Sequence, residues 1–250
     1  VAEAKTDDWF VSIAKRPAAR MRIAAFPSPG GGCAAFAQQA KAMPAWLELE
    51  TLNLPGRQAR FDEPFRTDLG GLVAELVDSC AERREPYLFF GYCSGALLAY
   101  CVARGLGERG ATMPRRLVVG AAKPPHSCDA PSLGDLGSDE LWDVLVRHQA
   151  VPPDFAARPG AREFVEPVMR ADFGLVASYR HVPAPPLPLP VTVLVGDRDE
   201  WVTQDDIRGW ADYSSMEITV SRLPAGHWFM EEATTASVAV LVSEAAAASA

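Results

Sequence analysis

The sequence predicts an α/β fold: a mainly parallel β-sheet flanked by helices, with one helical insertion. Three observations carry this reading. Short apolar runs of the buried-strand kind lie at 87–90, 117–119 and 191–195. They alternate with segments of helical spacing at 69–83 and 96–106, and strands alternating with helices build parallel sheets. Between Pro124 and Pro190 proline and charge increase, and no buried strand appears.

The elements follow in order. Residues 1–20 read as a lead-in, with Trp9 and Phe10 as anchors. A strand at 22–26 runs into Pro27-Ser28-Pro29-Gly30-Gly31-Gly32, and a short helix is expected at 36–42. A strand at 47–52 is stopped by Pro55-Gly56. The helix at 69–83 carries Leu69, Leu72, Val73, Leu76, Val77 and Cys80 at helical spacing. Within 124–190, helices are expected at 138–148 and 163–179. A last strand at 218–223 and a helix at 234–247, with an Ala-rich end, complete the chain. The organisation read from this is one domain over 1–250, with 124–190 inserted as a lid. An insertion there covers the carboxyl ends of the strands, where such sheets bind ligands.

Composition narrows the function classes. The 250 residues are 48% hydrophobic, enough for one sizeable core. Lys plus Arg is 24 and Asp plus Glu is 32, a net charge of −8, so neither nucleic acid nor an anionic membrane is an expected partner. The uncharged stretch 86–103 is long enough to raise a membrane span, but Gly91, Ser94 and Gly95 interrupt it. It reads as strand, turn and helix. The N-terminus shows no basic region followed by an apolar one. Five scattered cysteines without a CxxC pair suit a reduced, cytoplasmic protein, expected to be a monomer.

The sharpest motif is Gly91-Tyr92-Cys93-Ser94-Gly95, set between a strand and a helix. That is the context of a nucleophile elbow, whose usual pattern is G-x-S-x-G. Here Cys93 holds the central position, and Ser94 falls one place late. The bland alternative is a small buried cysteine beside a turn. Partners weigh against it. Gly196-Asp197-Arg198-Asp199 follows the strand at 191–195, and His227 follows the last strand. Asp199 is preferred as the functional acid and Asp197 as a turn former. Nucleophile, acid and base then occur in α/β-hydrolase order. His227 would take the thiol proton, and Asp199 would fix its tautomer. The following helix points its N-terminus at Cys93, which favours negative charge there. An oxyanion hole would draw on the N–H of Ser94 and on the loop Ser28 to Gly32. That loop lacks the Lys-Ser/Thr of a phosphate-binding loop. His148 and His181 stand alone, without metal-ligand spacing, so no metal is expected.

These residues resemble the type II thioesterases that accompany modular polyketide synthases and nonribosomal peptide synthetases. The resemblance runs from about Ile23 to Met230. It rests on Phe26-Pro27-Ser28-Pro29-Gly30-Gly31, Pro55-Gly56-Arg57, Glu63-Pro64, Phe90 to Ala96, Met169-Arg170-Ala171-Asp172, Gly196 to Asp199, and Ala225 to Phe229. It implies an α/β-hydrolase with a mobile helical lid and a triad of Cys93, Asp199 and His227. It implies an acyl or peptidyl carrier protein as partner. The phosphopantetheine arm belongs to that partner, so the chain needs no cofactor of its own. Lid residues Phe155, Phe164, Val168, Phe173 and Val176 are expected to contact the acyl chain. Trp201 and Trp228, beside the acid and base, would shield the site, with Trp228 also touching substrate.

Three departures stand out. The nucleophile is Cys93 rather than serine, and the family histidine of F-P-H-A is Ser28. The family alanine that lends an oxyanion N–H is Pro29, which has none. Gly30 would have to replace it after a loop shift. A Cys nucleophile keeps the acyl group as a thioester, reactive toward amines, thiols or a carbanion. The expected function is thioester hydrolysis in trans. Acyl transfer or cyclisation, amide-forming or Dieckmann-type, is the first alternative, and a catalytically silent binding module the second.

Overall fold

The computed structural model describes residues 9–128 and 133–249. Its centre is a seven-stranded sheet. The strands are β1 (Phe10–Ser12), β2 (Met21–Phe26), β3 (Leu47–Leu52), β4 (Tyr87–Tyr92), β5 (Leu117–Gly120), β6 (Val191–Gly196) and β7 (Thr219–Leu223). Their order is β1-β3-β2-β4-β5-β6-β7. Only β1 runs antiparallel, pairing Phe10 with Leu52, and the other pairs are parallel. The sequence reading gave the lead-in no strand. Three residues are too few to show a period, and β1 forms because Trp9, 8% exposed, docks in the core beside it.

Strand residues alternate between two cores, as the pleat requires. Phe26, Phe89, Val119 and Val193 face one side, where α2 (Leu69–Ala81) and α3 (Ser94–Glu108) supply Leu72, Leu76, Ala99 and Val102. Ile23, Phe90, Val118 and Leu194 face the other, against α1 (Ala37–Ala42) and α9 (Thr234–Ser249) through Ala40, Leu241 and Ala245. Asp68 caps α2, accepting from the N–H groups of Gly70 and Gly71. Among the described residues, no helix is long and apolar enough to cross a membrane.

The 124–190 stretch carries α4 (Ser138–Arg147), α5 (Pro153–Ala156) and α6 (Ala161–Ala177) between the adjacent strands β5 and β6. These helices have a small core of their own, built on Leu141, Leu145, Val151 and Met169. Glu166 of α6 gathers Ser138 Oγ at 2.6 Å and the guanidinium groups of Arg162 and Arg170, tying α4 to α6. One buried ion pair joins α6 to the body. Arg57 donates to both oxygens of Asp172, at 2.6 and 2.7 Å.

The turn from β4 into α3 is a single residue. Cys93 sits in it at φ 54°, ψ −124°, a strained conformation for a residue with a side chain. Its flanking glycines are forced. A Cβ on Gly91 would lie 2.3 Å from Ala96 Cα, and one on Gly95 would lie 2.2 Å from the Phe26 carbonyl oxygen. Both obstacles are backbone and cannot swing aside. Gly95→Ala should therefore lower the denaturation midpoint and abolish Cys93 alkylation selectivity, as checked by urea melts and peptide mapping. A wild-type midpoint would contradict this packing.

Candidate active site

Three loops at the carboxyl end of the sheet bring the site together. Cys93 follows β4, Asp199 follows β6, and His227 follows β7. The β6 and β7 loops interlock. Arg198 N–H donates to the Ala225 carbonyl at 3.0 Å, and a Cβ on Gly196 would lie 2.2 Å from the Gly226 carbonyl oxygen. This contact holds Asp199 against His227, with Asp199 Oδ2 at 2.9 Å from His227 Nδ1. The other carboxylate oxygen accepts from the N–H groups of Trp201 at 2.9 Å and Val202 at 3.3 Å. Asp199 has a fully buried side chain, whereas that of Asp197 is 51% exposed and 4.0 Å from Arg222. The pairing is thus with the second acid of the loop.

Burial works against charge on both partners, and their mutual contact overcomes it. Asp199 stays below the ordinary carboxylate range through its hydrogen bond to His227 and its two backbone donors. Burial also opposes protonation of His227, but Asp199 and the nearby Cys93 sulfur push it up to about 9. The remaining ring nitrogen, Nε2, is buried and makes no hydrogen bond of ordinary geometry. Tyr92 steadies the loop, its hydroxyl donating to the His227 carbonyl at 2.6 Å. Trp201 packs over the imidazole with ring centroids 4.2 Å apart.

The loop after β2 offers less to an oxyanion than expected. Ser94 opens α3, and its N–H belongs to the helix terminus beside Cys93. Pro29 lines the same cavity as Cys93 and has no N–H to give. Gly30, expected to stand in as donor, bonds elsewhere: its N–H donates to Asp172 Oδ2 at 2.7 Å. The buried Arg57–Asp172 pair thereby holds the loop, with Arg57 also donating to the Gly31 carbonyl at 3.1 Å.

Above Cys93 lies a cavity of about 300 Å³. Its wall is nearly all apolar, with Leu145, Met169 and Phe173 from the insertion, and Trp201 and Trp228 from the loops. Of the residues expected at the acyl chain, Phe173 and Trp228 line it. Phe155 instead packs in the core of the insertion. Phe164 and Val168 face a separate pocket of about 380 Å³, and Phe164 is 57% exposed there. Val176 lines a smaller space beside Ser94 and Gly95. Helical spacing explains the split, since 169 and 173 share one face of α6 while 164 and 168 share another. Sequence reasoning gave Met169 and Asp172 no roles of their own, although both stand in a quoted motif. It set His148 aside as isolated, yet that residue also lines the cavity.

Strand order, elbow and the Asp–His contact define an α/β-hydrolase. Comparison with known proteins takes this further: residues 21–244 match the family described as the thioesterase domain, and the chain belongs to that family. It is 32% identical over 238 residues to the human S-acyl fatty acid synthase thioesterase, medium chain, covering 90% of this chain and 87% of the relative. It is 27% identical to the gramicidin S biosynthesis protein GrsT of Aneurinibacillus migulanus, covering 91% and 90%. The solved structure of the RedJ thioesterase, from the prodiginine pathway of Streptomyces coelicolor, superimposes with a TM-score of 0.85 at 27% identity. That match covers 96% of this chain and 100% of the other. Thioester hydrolysis is thus its class of chemistry.

The other cysteines are poor competitors for an electrophile. Burial raises the thiol of Cys33, pushes Cys80 up to about 11, and pushes Cys101 and Cys128 up to about 12. Iodoacetamide at neutral pH should therefore modify Cys93 first, and His227→Gln should slow that modification selectively. Peptide mapping over time checks both. Equal rates at all five cysteines would contradict the assignment.

Proposed function

We propose that the chain is a type II thioesterase acting in trans on acyl groups held by the phosphopantetheine of a carrier protein in polyketide or nonribosomal peptide biosynthesis. The observation that carries the reading is the convergence of Cys93, His227 and Asp199 beneath one apolar cavity. The names of similar proteins, a gramicidin S biosynthesis protein and a prodiginine-pathway thioesterase, support the setting. The insertion acts as the lid over the acyl group.

The steps follow from the geometry. Cys93 gives its proton to His227 Nε2, and its sulfur attacks the thioester carbonyl carbon. The oxyanion forms beside the Ser94 N–H. The bond from carbon to the phosphopantetheine sulfur breaks, and that sulfur takes the proton from His227. The acyl group now rests on Cys93 as a thioester. Water attacks it, with His227 removing the proton, and the free acid leaves as the Cys93 thiol re-forms. Asp199 stabilises the imidazolium at each stage.

A second reading has one specific observation in its favour. Pro29 lacks an N–H and the Gly30 N–H is engaged by Asp172, so the loop after β2 offers the oxyanion no donor from these two positions. One oxyanion donor is worth about 10²–10³ in rate. Slow clearance by water would leave acyl-Cys93 available to another nucleophile, giving transfer or ring closure. The test is product analysis of an acylated carrier protein, with and without an amine acceptor. Wild type should release free acid, and Cys93→Ala should release none. Pro29→Ala, which restores an N–H, should raise hydrolysis by about tenfold or more. Product formed only with acceptor would favour transfer, and no Cys93-dependent product at all would make the chain a silent module.

A further inference from the structure

Apart from Cys93, the described residues of the cavity wall include one titratable side chain, His148 at the end of α4. Its imidazole makes no hydrogen bond among the described residues, and its nearest ring contact is Trp201, with centroids 5.0 Å apart. Its backbone is fixed on both sides of the carbonyl. The His148 N–H donates to the Val144 carbonyl at 3.0 Å, and the His148 carbonyl accepts from Trp228 Nε1 at 2.8 Å. The half-buried ring thus stands at an apolar wall with its nitrogens unbonded by the described residues and open to solvent.

An unpaired polar group in such a wall is costly unless a ligand or water satisfies it. Neutral imidazole offers one donor and one acceptor nitrogen. A purely hydrocarbon acyl chain offers it nothing and would strip it of water. Leu145 and Phe173 line the same wall, so nothing about the cavity demanded a histidine at this point. At about 300 Å³ the chamber is at the small end of ligand pockets, and a chain in it cannot avoid the walls.

We propose that His148 is a specificity-determining residue that hydrogen-bonds a hydroxyl or keto oxygen on the acyl chain, part-way along from the thioester. The substrate class is then oxygenated acyl groups of medium length rather than saturated ones. This deepens the proposed thioesterase function and rests on Cys93 carrying the acyl group. A site built to bond such an oxygen discriminates against the analogue without it.

The test uses the full chain and N-acetylcysteamine thioesters of octanoic acid and its 3-, 5- and 7-hydroxy and 3-, 5- and 7-keto derivatives. The readout is the ratio of kcat/KM for each oxygenated chain to that for the saturated one. Wild type should favour at least one oxygenated isomer, and His148→Phe should lower that ratio about tenfold, the worth of one hydrogen bond. His148→Gln, whose amide both donates and accepts, should recover part of it. A wild type that prefers octanoyl over every oxygenated isomer overturns the proposal, whatever the variants do. So does a His148→Phe ratio equal to wild type. Failure of the thioesterase reading looks different: Cys93→Ala would then release acid from every thioester as fast as wild type.

Discussion

The whole arrangement hangs on one turn. Between β4 and α3 the backbone must reverse within a single residue, and Cys93 takes the strain at φ 54°. Such a conformation costs on the order of 1–3 kcal/mol and persists only where the surroundings enforce it. Here the enforcement is steric. Gly91 lies against the backbone of Ala96, and Gly95 lies against the carbonyl oxygens of Phe26 and Pro27. The contact at Gly95 also sets the loop after β2 beside the nucleophile. The same packing thus raises the sulfur above the sheet and fixes the neighbour that should serve its oxyanion.

That neighbour is short of free N–H donors. Proline at 29 removes a donor, and Asp172 takes up the one beside it. Asp172 is itself pinned by Arg57 in a bidentate buried pair. Removing one partner of such a pair leaves an uncompensated buried charge, at a cost of about 3–5 kcal/mol. Helix α6 is therefore anchored to the loop after β2 by an interaction that is costly to break.

Much of this was legible in the sequence, and the rest was hidden for physical reasons. The strand at 47–52 matched its observed bounds, because Pro55-Gly56 stops it sharply. The helix after the elbow was expected from Ala96 but begins at Ser94, since the turn consumes only Cys93. Asp199 could be chosen because it follows the buried strand β6. His227 was expected after a core strand too, but β7 is an edge strand with only Leu223 buried, so chain order rather than burial marks this histidine. The short helices α7 (Gln204–Gly209) and α8 (Phe229–Glu232) are too brief to show a period in the sequence. Arg57 and Asp172 stand 115 residues apart, so no local pattern links them. The cavity wall was only half legible. Helical spacing names the faces of α6, but which face meets Cys93 depends on how the insertion docks, and that is set by the Arg57–Asp172 pair. His148 looked isolated because its neighbours Trp201 and Trp228 come from the other end of the chain.

The proposed hydrolysis requires the Cys93 sulfur to carry the acyl group as a covalent thioester. The measurement is rapid mixing with an acylated carrier protein, followed by an acid quench and peptide mass mapping. A transient peptide containing Cys93, heavier by the acyl group and reversed by hydroxylamine, should build up before free acid appears. That species should persist longer when His227 is replaced by Gln. Free acid released in the first turnover with no acyl mass on Cys93, or with the mass on Ser94, would contradict it.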